Sequence, residues 1–275
     1  MFGFSLSAGH SVLVLVVVGL VGAGLSLLAR RTLPLDDVRI GPWSSTLSYV
    51  ATAYGIVVGF SILYLFGAYA EARQAVGNEA TSIGTAFEEA RLFGDDASNI
   101  QRSLICYGQG ASQYDWPAMR EGTSAPEVDS AYTDIILALG EADEPLDGTF
   151  QPATATNLLA QVGSISTARE SRLVAAQTSL PVLMWGLLLG GGLLVLIMIF
   201  AVTLPAAPVT QAVLVGLASA FTAVMVLLVV ALNNPFAPGP GRVSPSLIDD
   251  TVASMTQEAP AAAATPCDGQ ASESS

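Results

Sequence analysis

The residue types that most often carry chemistry are scarce in this chain and poorly grouped. A single histidine, His10, rules out a His triad or a two-His metal site within one chain. Two cysteines, Cys106 and Cys267, rule out a Cys-only zinc site and a disulfide-dense scaffold. Cys106 falls in an expected helix and Cys267 in the tail, so both are expected as free thiols. Gly-x-Ser-x-Gly, His-Glu-x-x-His, a Walker-type loop and Cys-x-x-Cys are all missing. Gly108-Gln-Gly110 is a fragment of a Gly-rich loop, but no strand precedes it. The acidic pairs Glu88-Glu89, Asp95-Asp96, Asp143-Glu144 and Asp249-Asp250 offer the oxygen ligands that a divalent cation takes. Adjacent carboxylates diverge on a helix, so these pairs read as solvated surface, with Asp249 and Asp250, close to a membrane exit, the only weak metal candidates. No enzymatic activity and no cofactor are expected.

The elements around these residues are apolar. Of 275 residues 52% are hydrophobic and only 12% charged, about half the charged fraction of a soluble domain. Four stretches reach the ~20 apolar residues that cross a bilayer as a helix: Val12 to Ala29, Leu47 to Tyr69 (47–69), Leu180 to Leu204 (180–204) and Val209 to Leu232 (209–232). Residues 1–11 hold no Arg or Lys, unlike the start of a cleaved signal peptide. No span carries Asp, Glu, Lys or Arg in its interior. Ionisable groups at membrane depth mark proton relays and coupled carriers, so a proton-coupled pump is disfavoured and a passive pathway remains.

Charge divides by segment. The ten basic residues are all Arg against 23 acidic ones, a formal charge of −13, which argues against a nucleic-acid partner. Residues 70–179 carry 16 acidic and 6 basic groups, and the segment from Asn233 carries 5 and 1. Four spans place both segments on one side, where their field concentrates cations and repels anions. Arg30, Arg31 and Arg39 in the short first loop stand against Arg73, Arg169, Arg172 and Arg242 on the other side. Long loops count less, so the sum leans only slightly towards a cytoplasmic first loop.

The middle region has helical periodicity throughout. Ala72, Val76, Ala80, Ile83, Phe87 and Ala90 extend the second span outward as one long helix. Ile100, Leu104, Tyr107, Ala111 and Tyr114 repeat the pattern until Pro117 is expected to stop it. Ser124 to Glu127 has capping-box spacing ahead of Val128, Ala131, Tyr132, Ile135 and Leu139. After the breakers at 144–148, Leu158, Val162, Ile165, Arg169, Arg172 and Ala176 lead into the third span. Ser244-Pro245 is expected to cap a short helix through Met255, and 257–275 to form a disordered tail. Small residues spaced by four (Ala51, Gly55, Gly59; Gly186, Gly190; Ala212, Gly216, Ala220) predict close helix approach within one subunit. The second span also carries Tyr54, Phe60, Tyr64, Phe66 and Tyr69, suited either to a packed core or to a hydrophobic constriction that gates by dewetting.

The order of Gly59-Phe60, Tyr69-Ala-Glu71-Ala-Arg73, Glu79-Ala80, then Trp116, Arg169 and Arg172 before Leu180-Pro181, then Asn234-Pro235-Phe236 after the last span, resembles the bestrophin-like domain family over roughly residues 45–256. The resemblance implies a distant relation to bestrophins, pentameric anion channels with four spans per subunit and both termini in the cytoplasm. It implies that the second span lines the pore, with an apolar neck at Ile56 and Phe60 flanked by Leu63 and Tyr64. It also implies roles for Glu71, Arg73, Glu79, Trp116, Arg169, Arg172, Asn234, Pro235 and Phe236. Ala237 stands where bestrophins have Gly, and Asp249-Asp250 lie farther along than the family's calcium-binding acidic residues.

The expected fold is all-α: a four-span helical membrane protein whose second and third helices extend into an acidic helical bundle. Residues 1–44 hold the first span and loop, 45–256 the bestrophin-like domain with its extramembrane bundle at 70–179, and 257–275 the tail. The expected function is a passive ion channel, anion by resemblance, in a homo-oligomer within the lipid bilayer of the cell, with inorganic ions as its partners. The competing reading is a non-conducting scaffold or sensor whose acidic bundle binds a partner.

Overall fold

A computed structural model describes residues 8–32, 40–141, 151–238 and 242–267 of the chain. Arg39, Asp143-Glu144, the breakers at 144–148 and residues 268–275 lie outside the described residues. All regular structure among the described residues is helical. The helices are α1 (Ala8–Thr32), α2 (Ile40–Ala90), α3 (Ala97–Gly110), α4 (Trp116–Arg120), α5 (Pro126–Gly140), α6 (Gln151–Gln177), α7 (Val182–Val202), α8 (Pro208–Leu232), α9 (Ser246–Glu258) and α10 (Pro260–Ala263). Four of them, α1, α2, α7 and α8, are long and apolar enough to cross a membrane. The protein is an integral, multi-pass membrane protein. The chain forms two compact units, residues 1–67 with 179–242, and residues 68–178 with 243–275.

In the first unit, backbones approach where side chains are small. A Cβ on Gly19 would sit 3.3 Å from the Gly216 carbonyl oxygen, one on Gly216 3.0 Å from that of Gly19, and one on Gly22 would overlap Ser219. This contact joins α1 to α8, and the attraction is van der Waals packing, since lipid supplies no hydrophobic drive. Tyr54 of α2 occupies the space where a Cβ would stand on Gly191 or Gly192 of α7. Around it Val58, Leu65, Leu180, Leu188 and Val229 form the unit's apolar core. Arg30, at the end of α1, donates to the Ala206 carbonyl (2.8 Å) and to Gln211 Oε1 (3.0 Å), tying α1 to the α7–α8 turn. The small-residue expectation therefore holds for Gly216 and Ala220, whereas Gly55, Gly59, Gly186 and Gly190 have nothing within 4 Å of an added Cβ.

In the second unit, the outer part of α2 buries Ala72, Val76, Ile83 and Phe87, α3 buries Ile100, Leu104 and Tyr107, and α6 buries Leu158, Val162 and Ile165. Helix α9 presents Ile248, Val252 and Met255 as its buried face, and a Cβ on Gly108 would overlap Val252. Gly94, at φ 61°, makes the sharp turn between α2 and α3 that an L side chain resists.

Several local expectations need correction. Pro117 does not end the third helix: residues Ala111–Asp115 widen into a π turn, and the chain continues helically through Arg120. A π turn already breaks the i to i−4 ladder just ahead of the proline, so the missing amide and the ring are tolerated. The capping box at Ser124 does not form, because Ala125 is the residue before α5 and Pro126 takes its first position. Likewise Pro245, not Ser244, precedes α9, which runs three residues beyond Met255 to Glu258. The third span and the bundle helix before it are two helices, α6 and α7, separated at Thr178–Pro181 where Pro181 cannot continue the ladder. The segment from 257 is structured as far as Cys267, and the thiols are not free. Cys267 is disulfide-bonded to Cys106 across 161 residues of sequence, with Cα atoms 5.5 Å apart. Only the fold brings the two cysteines together, so no local spacing announced the bond.

Candidate functional site

The exposed face of α2 holds the residues expected at a pore neck. Ile56 (54% exposed), Phe60 (66%), Leu63 (67%) and Tyr64 (54%) all project away from the chain's own packing, while Val58 and Leu65 are buried in the first unit's core. Positions 56, 60, 63 and 64 recur at helical spacing and so share one face. No side chain on that face is ionisable except Tyr64. By helical period the same line continues outward through Gly67 to Glu71, Gln74, Asn78 and Thr81. Glu71, Gln74 and Asn78 line a concavity of about 410 Å³ in the second unit with Glu170, Ser171 and Thr178. Thr81 joins Asn78, Ser164, Thr167 and Ser171 along an adjoining one. The polar side chains lining both are amides and hydroxyls plus two carboxylates, with Ala75, Ala168, Val174 and Ala175 between them and no basic side chain among the described residues.

The family-motif residues fall into three places. Glu79, Trp116, Arg169 and Arg172 meet in one buried cluster inside the second unit. Arg172 is fully buried on the apolar face of α6 and grips Glu79 with Nε to Oε2 (2.7 Å) and Nη2 to Oε1 (2.9 Å). This fork geometry matches a carboxylate and is among the stronger hydrogen-bonded pairings. Tyr107 donates its hydroxyl to Glu79 Oε1 (2.7 Å). Arg172 also reaches Asp115 Oδ2 (3.0 Å) and Met119 Sδ (3.3 Å), and its guanidinium stacks 4.6 Å from the centre of the Trp116 ring. Arg169 holds Asp115 through Nε (2.8 Å) and Nη2 (3.1 Å), and pairs with Asp129 at the solvent edge. Asp115 in turn accepts the amide of Ala125 (3.0 Å), which fixes the start of α5. Trp116 Nε1 donates to the Val243 carbonyl (3.3 Å), so the segment before α9 is held as well.

Two guanidinium groups against Glu79 and Asp115 leave the interior of the cluster neutral. Burial alone would raise the Asp115 carboxyl, but the Arg169 hydrogen bond and the Arg172 charge hold it below the usual carboxylate range. Burial also works against the charged form of Arg172, and Glu79 and Asp115 overcome it, so the guanidinium stays ionised. Burial, with the Glu79 carboxylate beside it, pushes the Tyr107 phenol well above its ordinary value. Every charge here has a partner, and no nucleophile faces open space. The cluster organises the bundle by joining α2, α3, α4, α5, α6 and the segment before α9.

Asn234, Pro235 and Phe236 form a turn after α8. Asn234 Oδ1 accepts the Ala237 amide (3.1 Å), Phe236 is buried, and the neighbouring Asn233 accepts the Leu180 amide (2.8 Å) in the break before α7. Glu71 and Arg73 are exposed on α2 and take no part in the buried cluster. Asp249 and Asp250 are exposed on α9, and among the described residues no set of three His, Cys, Asp or Glu gathers around them.

Asp115 is the residue that sequence reasoning missed. The stripe Ile100, Leu104, Tyr107, Ala111 reaches Asp115 as readily as Tyr114, and the buried position is Asp115. The available signal was complementarity: Arg169 and Arg172 lie on the apolar stripe of α6, and a buried Arg needs carboxylates opposite.

No curated protein matches the chain. Solved structures share its fold. A bacterial bestrophin homologue from Klebsiella pneumoniae, solved by zinc phasing, superposes with a TM-score of 0.71 at 11% identity, covering 90% of this chain and 97% of that one. A point variant of a bacterial bestrophin homologue from the same organism gives 0.71 at 11% identity, over 88% and 98%. A further structure, described as a membrane protein, gives 0.71 at 11% identity, over 90% and 97%. The model of the Bestrophin-like domain matches residues 15–248, which takes in α2, the turn after α8 and every member of the buried cluster. The chain belongs to the Bestrophin-like domain family.

Proposed function

We propose that the chain is one subunit of a passive ion channel, a homo-oligomer in which copies of α2 surround the pore and Ile56, Phe60, Leu63 and Tyr64 form its neck. The observation that carries this reading is the exposed face of α2. It is apolar and aromatic within the span and becomes a line of amide, hydroxyl and carboxylate groups beyond it. A pore wall needs both parts: a dewetting constriction and a hydrated vestibule. Gly55 and Gly59, with nothing among the described residues within 4 Å of an added Cβ, leave room beside the neck for a second copy of the helix. Closed rotational symmetry would supply that copy. Membership of the family and the shared fold support the same reading. Glu71 and the acidic second unit favour cations over the anions that the resemblance implies.

The test is flux through liposomes containing the purified, oligomeric protein, comparing potassium with chloride and wild type with Phe60→Ala. Potassium flux altered by Phe60→Ala supports the pore. Absence of flux from a folded oligomer would favour the scaffold reading, with the hydroxyl- and amide-lined concavities along α2 and α6 as the place where a partner binds.

A further inference from the structure

We propose that the second unit, residues 68–178 and 243–267, faces the non-cytoplasmic side of the membrane, an oxidising compartment in which the Cys106–Cys267 disulfide persists. Two independent observations point there. The chain has only two cysteines, and the fold brings both into this unit and bonds them. The bond belongs to a docked segment: Ala262 of α10 is buried, Glu258 pairs with Arg91, and Arg102 donates to the Pro266 carbonyl (3.0 Å). Forming it takes two protons and two electrons from the thiols and passes them to a disulfide-carrying oxidant by thiol–disulfide exchange. Such oxidants act outside the cytoplasm, where glutathione and thioredoxin do not keep thiols reduced.

Charge gives the second observation. The positive-inside rule counts Arg and Lys in loops shorter than about 60 residues, because longer ones translocate largely regardless of charge. The segment between the second and third spans, 70–179, has 110 residues and drops out of the count. Arg73, Arg169 and Arg172 drop out with it, which removes the near balance of the plain arginine sum. Arg30, Arg31 and Arg39 of the first loop then stand against Arg242 alone. Arg30 and Arg31 close the last turn of α1, and Arg30 also ties down the α7–α8 turn on the same side. That side is the cytoplasmic one by this count, opposite to the orientation implied by the resemblance to bestrophins. The inference does not depend on conduction.

The test uses the full chain in bacterial cells. Cells are quenched in acid and reacted with a maleimide-polyethylene glycol, and the chain is expected to run untagged without reductant and doubly tagged after it. In intact spheroplasts, a membrane-impermeant reductant followed by a membrane-impermeant maleimide is expected to give the same two tags. Cys106→Ser/Cys267→Ser, which takes none, is the control. A C-terminal alkaline phosphatase fusion, expected to be active, reports the side without relying on the thiols. Free thiols in quenched cells, tags that appear only after the membrane is opened, or an inactive phosphatase whose green-fluorescent counterpart glows would each overturn the proposal.

Discussion

Replacing Arg172 with Met keeps most of the side chain's volume but leaves Glu79 fully buried with only the Tyr107 hydroxyl. Four polar contacts disappear, two to Glu79, one to Asp115 and one to Met119, together with the stacking on Trp116. Removing one partner of a buried ion pair costs about 3–5 kcal/mol, mostly because the other charge is stranded. At roughly 2–4 °C per kcal/mol for a chain of this size, Arg172→Met should lower the melting temperature by about 6–20 °C. Neutralising the stranded group gives a sharper test. Glu79→Gln/Arg172→Met should be more stable than the sum of the single variants implies, by about 1–3 kcal/mol. The assay is thermal unfolding in detergent, followed by tryptophan fluorescence and by loss of the size-exclusion peak. A single variant within about 1 kcal/mol of wild type, or a strictly additive double variant, would refute the view that this cluster holds the bundle together.

Three further outcomes are expected. Asp115 has a folded pKa below its unfolded one, so its contribution to stability is present above about pH 4 and is lost as pH falls through the folded value. Tyr107 shifts the other way, its contribution being complete below about pH 10 and lost above it; a melting-temperature profile that is flat at both extremes would contradict these two shifts. Reducing the disulfide, or Cys106→Ser, should lower stability by up to about 5 kcal/mol by the chain-entropy estimate for a closed loop of this length, measured by thermal unfolding with and without reductant. Gly22→Val should cost about 1–3 kcal/mol by forcing α1 off α8 at Ser219, while Gly24→Val, in open space, should leave the melting temperature within a degree or two.

Span number, the unbroken α2 and the all-helical bundle were legible because period and length decide them locally. Ala72, Val76, Ile83 and Phe87 repeat at helical steps, and four apolar runs fit the bilayer. The buried cluster was half legible. Arg169 and Arg172 stood on the apolar face of α6, and Glu79 on that of α2, but their shared partner Asp115 sits inside a π turn that shifts the helical period just where it would have to be read. The disulfide was illegible, since 161 residues separate two cysteines with no common motif. Helix ends were misread where proline chemistry competed, at Pro117, Pro126 and Pro245, because a proline in the first turn of a helix and one after its end look alike in sequence. The exposed side of α2 differs in kind: helical period puts Ile56, Phe60, Leu63 and Tyr64 on one face, and what that face meets is the subject of the proposal.

The most direct measurement is therefore the unitary conductance of the reconstituted oligomer in planar bilayers for wild type, Ile56→Ala, Phe60→Ala and Phe221→Ala. Phe221, exposed on α8, serves as the control off the proposed neck. The two neck substitutions are expected to change the conductance several-fold, with potassium carrying the current and Phe221→Ala leaving it unchanged. Currents indifferent to Ile56 and Phe60, or altered equally by Phe221→Ala, would contradict a pore lined by α2.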